Sequence, residues 1–228
     1  MVRWNTGLRL THKNNIKMMK IATIIITRGG MCHVKTMHTL LRFNVFCIQS
    51  GEIQNQLFFT NDDPHEKSET IMKNLRDFDR IFYIDFGVHV DDESLKQVIT
   101  KNEGMGAIVF PAVLQGINWN MFKERNDEPV NQRGLEFDTE VTTKISEDYY
   151  NIKCTKPKAF VLMCKNIVKK IKDKRSGSIK IQPKLDVMFS KFIENSVKVI
   201  AFIKANIIVT YQHECIGNIP NAAGVKAY

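Results

Sequence analysis

An aspartate stands at the end of a strongly apolar segment in the middle of the chain. Asp85 follows residues 80–84, which are rich in isoleucine and aromatic residues and indicate a buried strand. In open α/β sheets, ligands bind just beyond the carboxyl ends of the strands. A carboxylate at such a place can hold a divalent cation, and the cation can hold a phosphate. Asp85-Phe86-Gly87 also matches the magnesium motif of protein kinases, but the other kinase motifs are missing from the sequence.

A histidine near the end of the chain is a second candidate for cation binding. His213 follows the apolar, β-branched segment 197–209. If this segment and the strand before Asp85 are parallel, their carboxyl ends lie at one edge of the sheet. A carboxylate, an imidazole and diphosphate oxygens would then suit Mn²⁺. An ordinary surface histidine at a strand end is the alternative interpretation.

Two other positions suit the binding and the activation of a substrate. Thr27-Arg28 opens a glycine turn between an apolar strand and a helix, where backbone N–H groups can hold phosphate. A plain tight turn is an equally good interpretation. Asp186 precedes the apolar face of a later helix, so it is either a general base at the rim of a site or an acid of the helix cap and first turn.

Three residues in the weakly patterned region 115–157 are candidates for a substrate site. Asp138 and Glu140 alternate along a possible strand, and they suit the binding of acceptor hydroxyl groups or simple solvation. Trp119 begins a possible short helix.

The composition limits the class of protein. The 228 residues carry a net charge of +9, concentrated in residues 1–20 and 165–184. Such clusters are either solvated faces or sites for phosphate and polyanions. Five cysteines without a CxxC pair argue against a zinc ribbon or a disulfide scaffold, and they favour a reducing compartment. We expect no transmembrane span and no secretory signal, because no apolar segment is long enough.

Hydrophobic periodicity predicts alternating strands and helices, and therefore an α/β fold with a mixed, mostly parallel sheet flanked by helices. The expected strands are 20–26, 44–48, 56–60, 80–85 and 107–110, and the expected helices are 32–42, 65–76 and 92–101. Later come a strand and helix over 160–171, a helix over 184–195 and a strand pair or bent strand over 197–209. We expect one domain over 19–216, with a basic appendage at 1–18 and a tail at 217–228.

In this order, these segments resemble the GT-A-type glycosyltransferases, a family with a Rossmann-like domain. The resemblance covers about residues 20–215 and rests on the first strand with Thr27-Arg28, the DxD-like segment 81–90, the strand ending at Pro111, and the late Asp186 and His213. The Lys- and Asn-rich composition also looks like the family 2-like glycosyltransferases of large DNA viruses. The departure from the pattern is Gly87, which replaces the second aspartate of the DxD motif.

The resemblance implies a transferase that moves a sugar from a nucleotide-diphosphate donor to a glycan or protein acceptor. Thr27, Arg28, Asp85, Phe86 and Gly87 would bind the nucleotide-sugar. Asp85 and His213 would hold Mn²⁺ or Mg²⁺, Asp186 would be the catalytic base, and Trp119, Asp138 and Glu140 would face the acceptor. The Trp119 ring would either stack on a sugar or fill a core. Gly87 weakens the metal prediction, whereas Asp91 and Asp92 are expected mainly to cap a helix.

The alternative is a catalytically inactive protein on the same scaffold that binds nucleic acid or another polyanion through its basic surface. We expect a cytoplasmic protein in either case, or one of the host cytoplasm or the virion if the chain is viral.

Overall fold

The predicted α/β class is confirmed in the computed structural model, which describes residues 18–101, 104–114, 119–124, 134–173 and 176–210. Strands and helices alternate along most of this range. In chain order the elements are β1 (Met19–Thr27), α1 (Val34–Ser50), β2 (Ile53–Asn61), α2 (Pro64–Asn74), β3 (Arg80–Ile84), β4 (Val88–His89), α3 (Asp92–Ile99), β5 (Ala107–Phe110), α4 (Trp119–Glu124), β6 (Thr139–Lys144), β7 (Tyr149–Thr155), β8 (Ala159–Met163), α5 (Cys164–Ile171), α6 (Leu185–Glu194), β9 (Val199–Phe202) and β10 (Ile208–Val209).

Eight of these strands form one mixed sheet in the order β2-β1-β3-β8-β5-β9-β7-β6. Strands β2, β1, β3, β5, β9 and β6 run in one direction, and β8 and β7 run in the other. The first half is a βαβ arrangement, in which α1 connects β1 to its parallel neighbour β2. The antiparallel β8 separates β3 from β5, so the amino end of β8 lies beside the carboxyl end of β3.

Helices pack on both faces of the sheet, so its central strands carry apolar side chains on both sides. One face packs against α1 and α3 through residues such as Phe43 and Leu95. The other face packs against α2, α5 and α6 through residues such as Ile71, Ile167 and Phe189. Continuous apolar strands are what such two-sided burial requires.

Two details of the predicted element order differ from the structure. The predicted strand at 44–48 is the second half of α1, in which Phe43 and Cys47 are buried while Val45 and Ile48 are exposed. Apolar residues on opposite faces of a helix resemble a short continuous strand, which periodicity alone does not distinguish. The segment 197–209, predicted as a strand pair or a bent strand, forms two strands that do not pair with each other, because β10 pairs with β4 whereas β9 pairs with β5 and β7.

None of the described helices combines the length and the apolar character that crossing a bilayer requires.

Candidate active site

Three parallel strands end side by side at one edge of the sheet, and a polar residue follows each of them. Asp62 follows β2, Arg28 follows β1 and Asp85 follows β3. The backbone N–H of Asp62 donates a hydrogen bond to the Thr27 carbonyl at 2.9 Å, which ties the first two loops together. This carboxyl edge is the place where open α/β sheets bind ligands.

Asp85 is held tightly at the end of β3. Its residue is 6% exposed, and its Oδ1 accepts a hydrogen bond from the Phe86 N–H at 2.9 Å. Its Oδ2 forms an ion pair with the Lys158 ammonium at 3.0 Å. The Lys158 carbonyl in turn accepts a hydrogen bond from the Asp85 N–H at 2.9 Å. The buried carboxylate therefore has a charged partner, as burial requires.

Arg28 and Phe86 join the loops after β1 and β3. The Arg28 guanidinium lies over the Phe86 ring, 4.9 Å from its centroid, in a cation–π contact. Its Nε also donates to Asp62 Oδ2 at 2.7 Å, and Lys67 forms a second ion pair with Asp62. Burial by itself would raise the pKa of Asp62, but the hydrogen bonds from Lys67 and Arg28 outweigh it and lower the pKa. The edge therefore combines cationic groups with an aromatic face.

Gly87 has a structural reason for replacing an acid. Its φ is +76°, in the left-handed region that favours glycine. Its carbonyl accepts a hydrogen bond from the Thr210 N–H at 2.9 Å, and a Cβ at this position would lie 3.0 Å from the Thr210 carbonyl oxygen. The left-handed backbone and the close approach of Thr210 thus both disfavour a side chain at this position.

Asp138 lies next to this cluster and is also buried, with 8% of the residue exposed. Its Oδ1 accepts hydrogen bonds from the Ala112 N–H at 3.1 Å and the Thr139 hydroxyl at 2.8 Å, and its Oδ2 accepts one from the Lys158 N–H at 3.3 Å. Desolvation raises the pKa of Asp138 to about 6, although these hydrogen bonds oppose the increase. A carboxyl group with this pKa changes its charge close to neutral pH.

Lys158 connects the two acids, and the sequence interpretation did not include it. It forms an ion pair with Asp85 through its side chain and a hydrogen bond with Asp138 through its backbone N–H. Lys158 precedes β8, and only the antiparallel insertion of β8 beside β3 brings it to the carboxyl edge. A lysine before a strand would mark the opposite edge in a wholly parallel sheet, so no local signal identifies it.

The other predicted site residues do not all join this cluster. Glu140 is exposed and forms an ion pair with Lys153 at 2.8 Å on the outer strands β6 and β7. Asp186 is an exposed acid in the first turn of α6, while Lys184 is the N-cap residue. Trp119 begins α4, but its side chain lies outside the described atoms, as does the whole of His213.

The described residues by themselves do not assemble a site for a divalent cation. Within the described ranges, no three His, Cys, Asp or Glu side chains are grouped as a metal site. The Asp85 carboxylate faces an ammonium group instead. Asp91, the next acid along the chain, caps α3 as predicted, because its Oδ1 accepts hydrogen bonds from the N–H groups of Glu93 and Ser94. The predicted metal pair of Asp85 and His213 stays a prediction.

A separate cavity of about 690 Å³ lies at the opposite edge of the sheet, near the start of β1 and β3. Four cationic residues and two acids line it together with apolar residues; the charged ones are Lys20, Arg76, Asp77, Asp79, Lys165 and Lys172. It therefore lies away from the Asp85 loop, where the polar chemistry of the carboxyl edge is found.

Comparison with known proteins gives matches among solved structures alone. No family model and no curated protein matches the chain. A197 from STIV shows 12% identity and a TM-score of 0.49, over 86% of this chain and 87% of that one.

Two nucleotidyltransferase structures are also similar. The inositol-1-phosphate CTP transferase from T. maritima shows 9% identity and a TM-score of 0.44, over 88% of this chain and 94% of that one. A Bacillus anthracis protein assigned as a glucose-1-phosphate thymidylyltransferase, in complex with a sucrose, shows 10% identity and a TM-score of 0.41, over 91% and 97% of the two chains. At these identities and TM-scores, the similarities say nothing about substrate.

Proposed function

We propose that this chain is a transferase that binds a nucleotide-diphosphate sugar at the carboxyl edge of β1 and β3 and transfers the sugar to a glycan or protein acceptor. The observation that carries the proposal is the convergence of Arg28, Phe86 and the Lys158–Asp85 pair at that edge. The resemblance of the DxD-like segment to GT-A-type glycosyltransferases supports the same function.

The chemistry required is the stabilisation of the departing diphosphate. Positive charge that is already in place stabilises negative charge that develops on a leaving group. Arg28 is held over Phe86 by its contacts with that ring and with Asp62, and Lys158 is held by Asp85. We therefore assign the two cationic side chains to the diphosphate and the Phe86 ring to the nucleotide side of the site.

In this proposal Lys158 supplies positive charge near the place where the second DxD acid would help to hold a metal ion. An acid at position 87 would strain the left-handed backbone and press on Thr210, and the Lys158 ammonium is already 3.0 Å from Asp85. A divalent cation held by Asp85 and His213, either Mn²⁺ or Mg²⁺, is the competing assignment. It would have to displace or share the contact of Lys158 with Asp85.

The acceptor side is assigned by position. Asp138 is linked to Asp85 through Lys158, which places a carboxyl group beside the proposed donor site. We retain Asp186 as the proposed base of an inverting reaction, and Trp119 and Glu140 as acceptor contacts. For Asp186, the supporting facts are its exposure and its place in the first turn of α6.

Calorimetric titration with UDP and GDP, with and without Mn²⁺, tests this proposal directly. We expect one of the nucleotides to bind, and Arg28→Ala to weaken its binding. A panel of nucleotide-diphosphate sugars, assayed for hydrolysis and transfer, then identifies the donor. Failure of every nucleotide to bind would reject the transferase proposal.

The cavity at the opposite edge favours a second candidate function, the binding of a polyanion such as nucleic acid. Lys20, Arg76, Lys165 and Lys172 line it, and α5 adds Lys169 and Lys170 to the same basic region. Binding of this kind depends strongly on salt, because counterions are released. Tight, salt-sensitive binding of RNA or DNA without nucleotide binding would favour this candidate over the transferase.

A further inference from the structure

The cavity at the edge of the sheet opposite the Asp85 loop has the size of a small-molecule site. Its volume is about 690 Å³, and such sites typically measure about 300–1,000 Å³. A nucleic acid is held instead by many phosphate contacts that follow its length. The size of the cavity therefore favours one compact ligand.

Part of the cavity wall is apolar. It is formed by the residue before β1, the segment after α2, helix α5 and the segment before α6, which contribute Met18, Leu75, Phe78, Val168 and Ile179. The Phe78 ring is held by an edge-to-face contact with Phe58, with 5.6 Å between the ring centroids. Removing apolar surface from water favours binding. This part of the wall therefore suits an apolar group of a ligand.

Two cationic side chains of the wall meet at Gly177. The Arg76 guanidinium donates a hydrogen bond to the Gly177 carbonyl at 3.1 Å. Lys172 Cε lies 3.4 Å from the position that a Cβ on residue 177 would take. Gly177 is fixed in turn, because its N–H donates to the Asp173 carbonyl at 3.0 Å. The turn at Gly177 therefore holds two positive charges close together.

The two acids of the wall leave these charges unbalanced. Asp79 is engaged elsewhere, since its Oδ2 accepts a hydrogen bond from the Lys20 N–H at 3.0 Å and its Oδ1 pairs with Lys165 at 2.5 Å. Within the described ranges, no ion pair joins Arg76 or Lys172 to an acid. Four cations against two acids give the wall a net charge of +2. An anion bound between the two cations would remove their mutual repulsion.

We propose that this cavity binds a small amphipathic anion, namely a phosphate or a carboxylate joined to an apolar group. The anion contacts Arg76 and Lys172, and the apolar group lies against Leu75 and Phe78. Arginine suits both anions, because its planar guanidinium matches their oxygen atoms in a bidentate contact. This ligand is independent of the proposed transferase activity, since the cavity and the Asp85 loop lie at opposite edges of the sheet.

Calorimetric titration of the full chain with four probes tests the proposal. Naphthyl phosphate and naphthoate carry both an anion and an apolar ring, inorganic phosphate lacks the ring, and naphthylmethanol lacks the charge. We expect at least one of the first two probes to bind at one site per chain, about 10-fold or more tightly than either of the last two. The tighter of the first two identifies the anion as a phosphate or a carboxylate.

Three variants locate the bound probe. Lys172→Gln should weaken its binding about 10-fold, because it removes a charged partner of the anion. The matched control is Lys170→Gln, since Lys170 is an exposed lysine of α5 that does not line the cavity. Arg28→Ala should also leave the affinity for the probe unchanged, because Arg28 lies at the opposite edge of the sheet. Circular dichroism establishes that each variant is folded.

Several results would overturn the proposal. If Lys172→Gln binds the probe as tightly as the wild type does, or if Arg28→Ala loses the binding, the probe lies elsewhere. If inorganic phosphate or naphthylmethanol binds as tightly as the amphipathic probes do, the site does not recognise both parts of the ligand. Displacement of the probe by single-stranded RNA would assign the cations to a polyanion instead. Failure of all four probes to bind would reject the site.

Discussion

Replacing Lys158 by methionine tests both the packing and the chemistry of the proposed site. Methionine keeps a long apolar side chain but removes the ammonium that lies 3.0 Å from Asp85 Oδ2. Asp85 would then keep a buried carboxylate without this partner. We expect a loss of stability together with a loss of nucleotide affinity, and the two effects can be measured separately.

The contacts of Lys158 set the size of the stability effect. At 3.0 Å, two unit charges attract each other by about 5 kcal/mol at an effective dielectric constant of about 20. Removing one partner from a buried pair costs about 3–5 kcal/mol, whereas exposed pairs contribute about 0–1 kcal/mol. The Lys158 side chain is 29% exposed and that of Asp85 is 8% exposed. We therefore expect a loss of about 2 kcal/mol in the free energy of unfolding, measured by urea denaturation.

The same substitution should weaken binding of the nucleotide diphosphate about 10- to 100-fold. A hydrogen bond to a charged group is worth about 1.5–3 kcal/mol, and each 1.4 kcal/mol is a factor of ten in affinity. Titration calorimetry measures the change. Lys156→Met is the matched control, because it removes the same charge from an exposed position two residues earlier. It should change neither stability nor affinity appreciably.

Two outcomes of this experiment would refute the reasoning. If Lys158→Met binds the nucleotide as tightly as the wild type does, Lys158 does not contact the diphosphate. If Mn²⁺ strengthens binding to the wild type as much as to the variant, the ammonium does not take the place of a metal ion. Recovery of affinity by Mn²⁺ in the variant alone would support the assignment.

Three further predictions concern single positions. Gly87→Ala should lower the free energy of unfolding by about 1–2 kcal/mol or more, because a left-handed backbone disfavours a side chain and Thr210 is close. The control is Gly104→Ala, because Gly104 has a φ of +75° but no described atom within 4 Å of an added Cβ. If the two variants lose the same stability, the contact with Thr210 plays no part. Asp138 has a raised pKa of about 6, so its contribution to stability is greatest below about pH 4 and should fall by about 3 kcal/mol as the pH rises to about 7. The difference in unfolding free energy between wild type and Asp138→Asn, followed over that range, measures this decrease, and a difference that does not change with pH would contradict it. Asp186→Asn should abolish sugar transfer while nucleotide binding persists, and preserved turnover would reject Asp186 as the base.

The local patterns of the sequence predict the strands that form the centre of the fold. The apolar segments 20–26, 80–84 and 107–110 appear as buried strands of the sheet, because burial on both faces requires continuous apolar residues. The amphipathic segments between them appear as helices. Asp85 also stands where the pattern predicts it, at the carboxyl end of a central strand.

The interpretation fails where one local pattern fits two structures. Residues 44–48 are apolar on both sides of α1, so they resemble a short strand. Strand β7 (Tyr149–Thr155) was not predicted, although its residues 151–155 alternate between polar and apolar types over a stretch too short to indicate a strand by itself. In both cases the packing around the segment decides its structure, and a short window of sequence does not contain that packing.

The sequence by itself determined the α/β class, the central strands and the position of Asp85, because these depend on residues that are neighbours along the chain. The tertiary structure alone decided which side chains surround Asp85. Lys158 reaches it because β8 runs antiparallel beside β3. Position 87 favours glycine because its backbone is left-handed and β10 brings Thr210 close to it. Lys158 and Asp85 are 73 residues apart along the chain, and Thr210 and Gly87 are more than 100 residues apart. The strand order that brings each pair together is a property of the whole sheet.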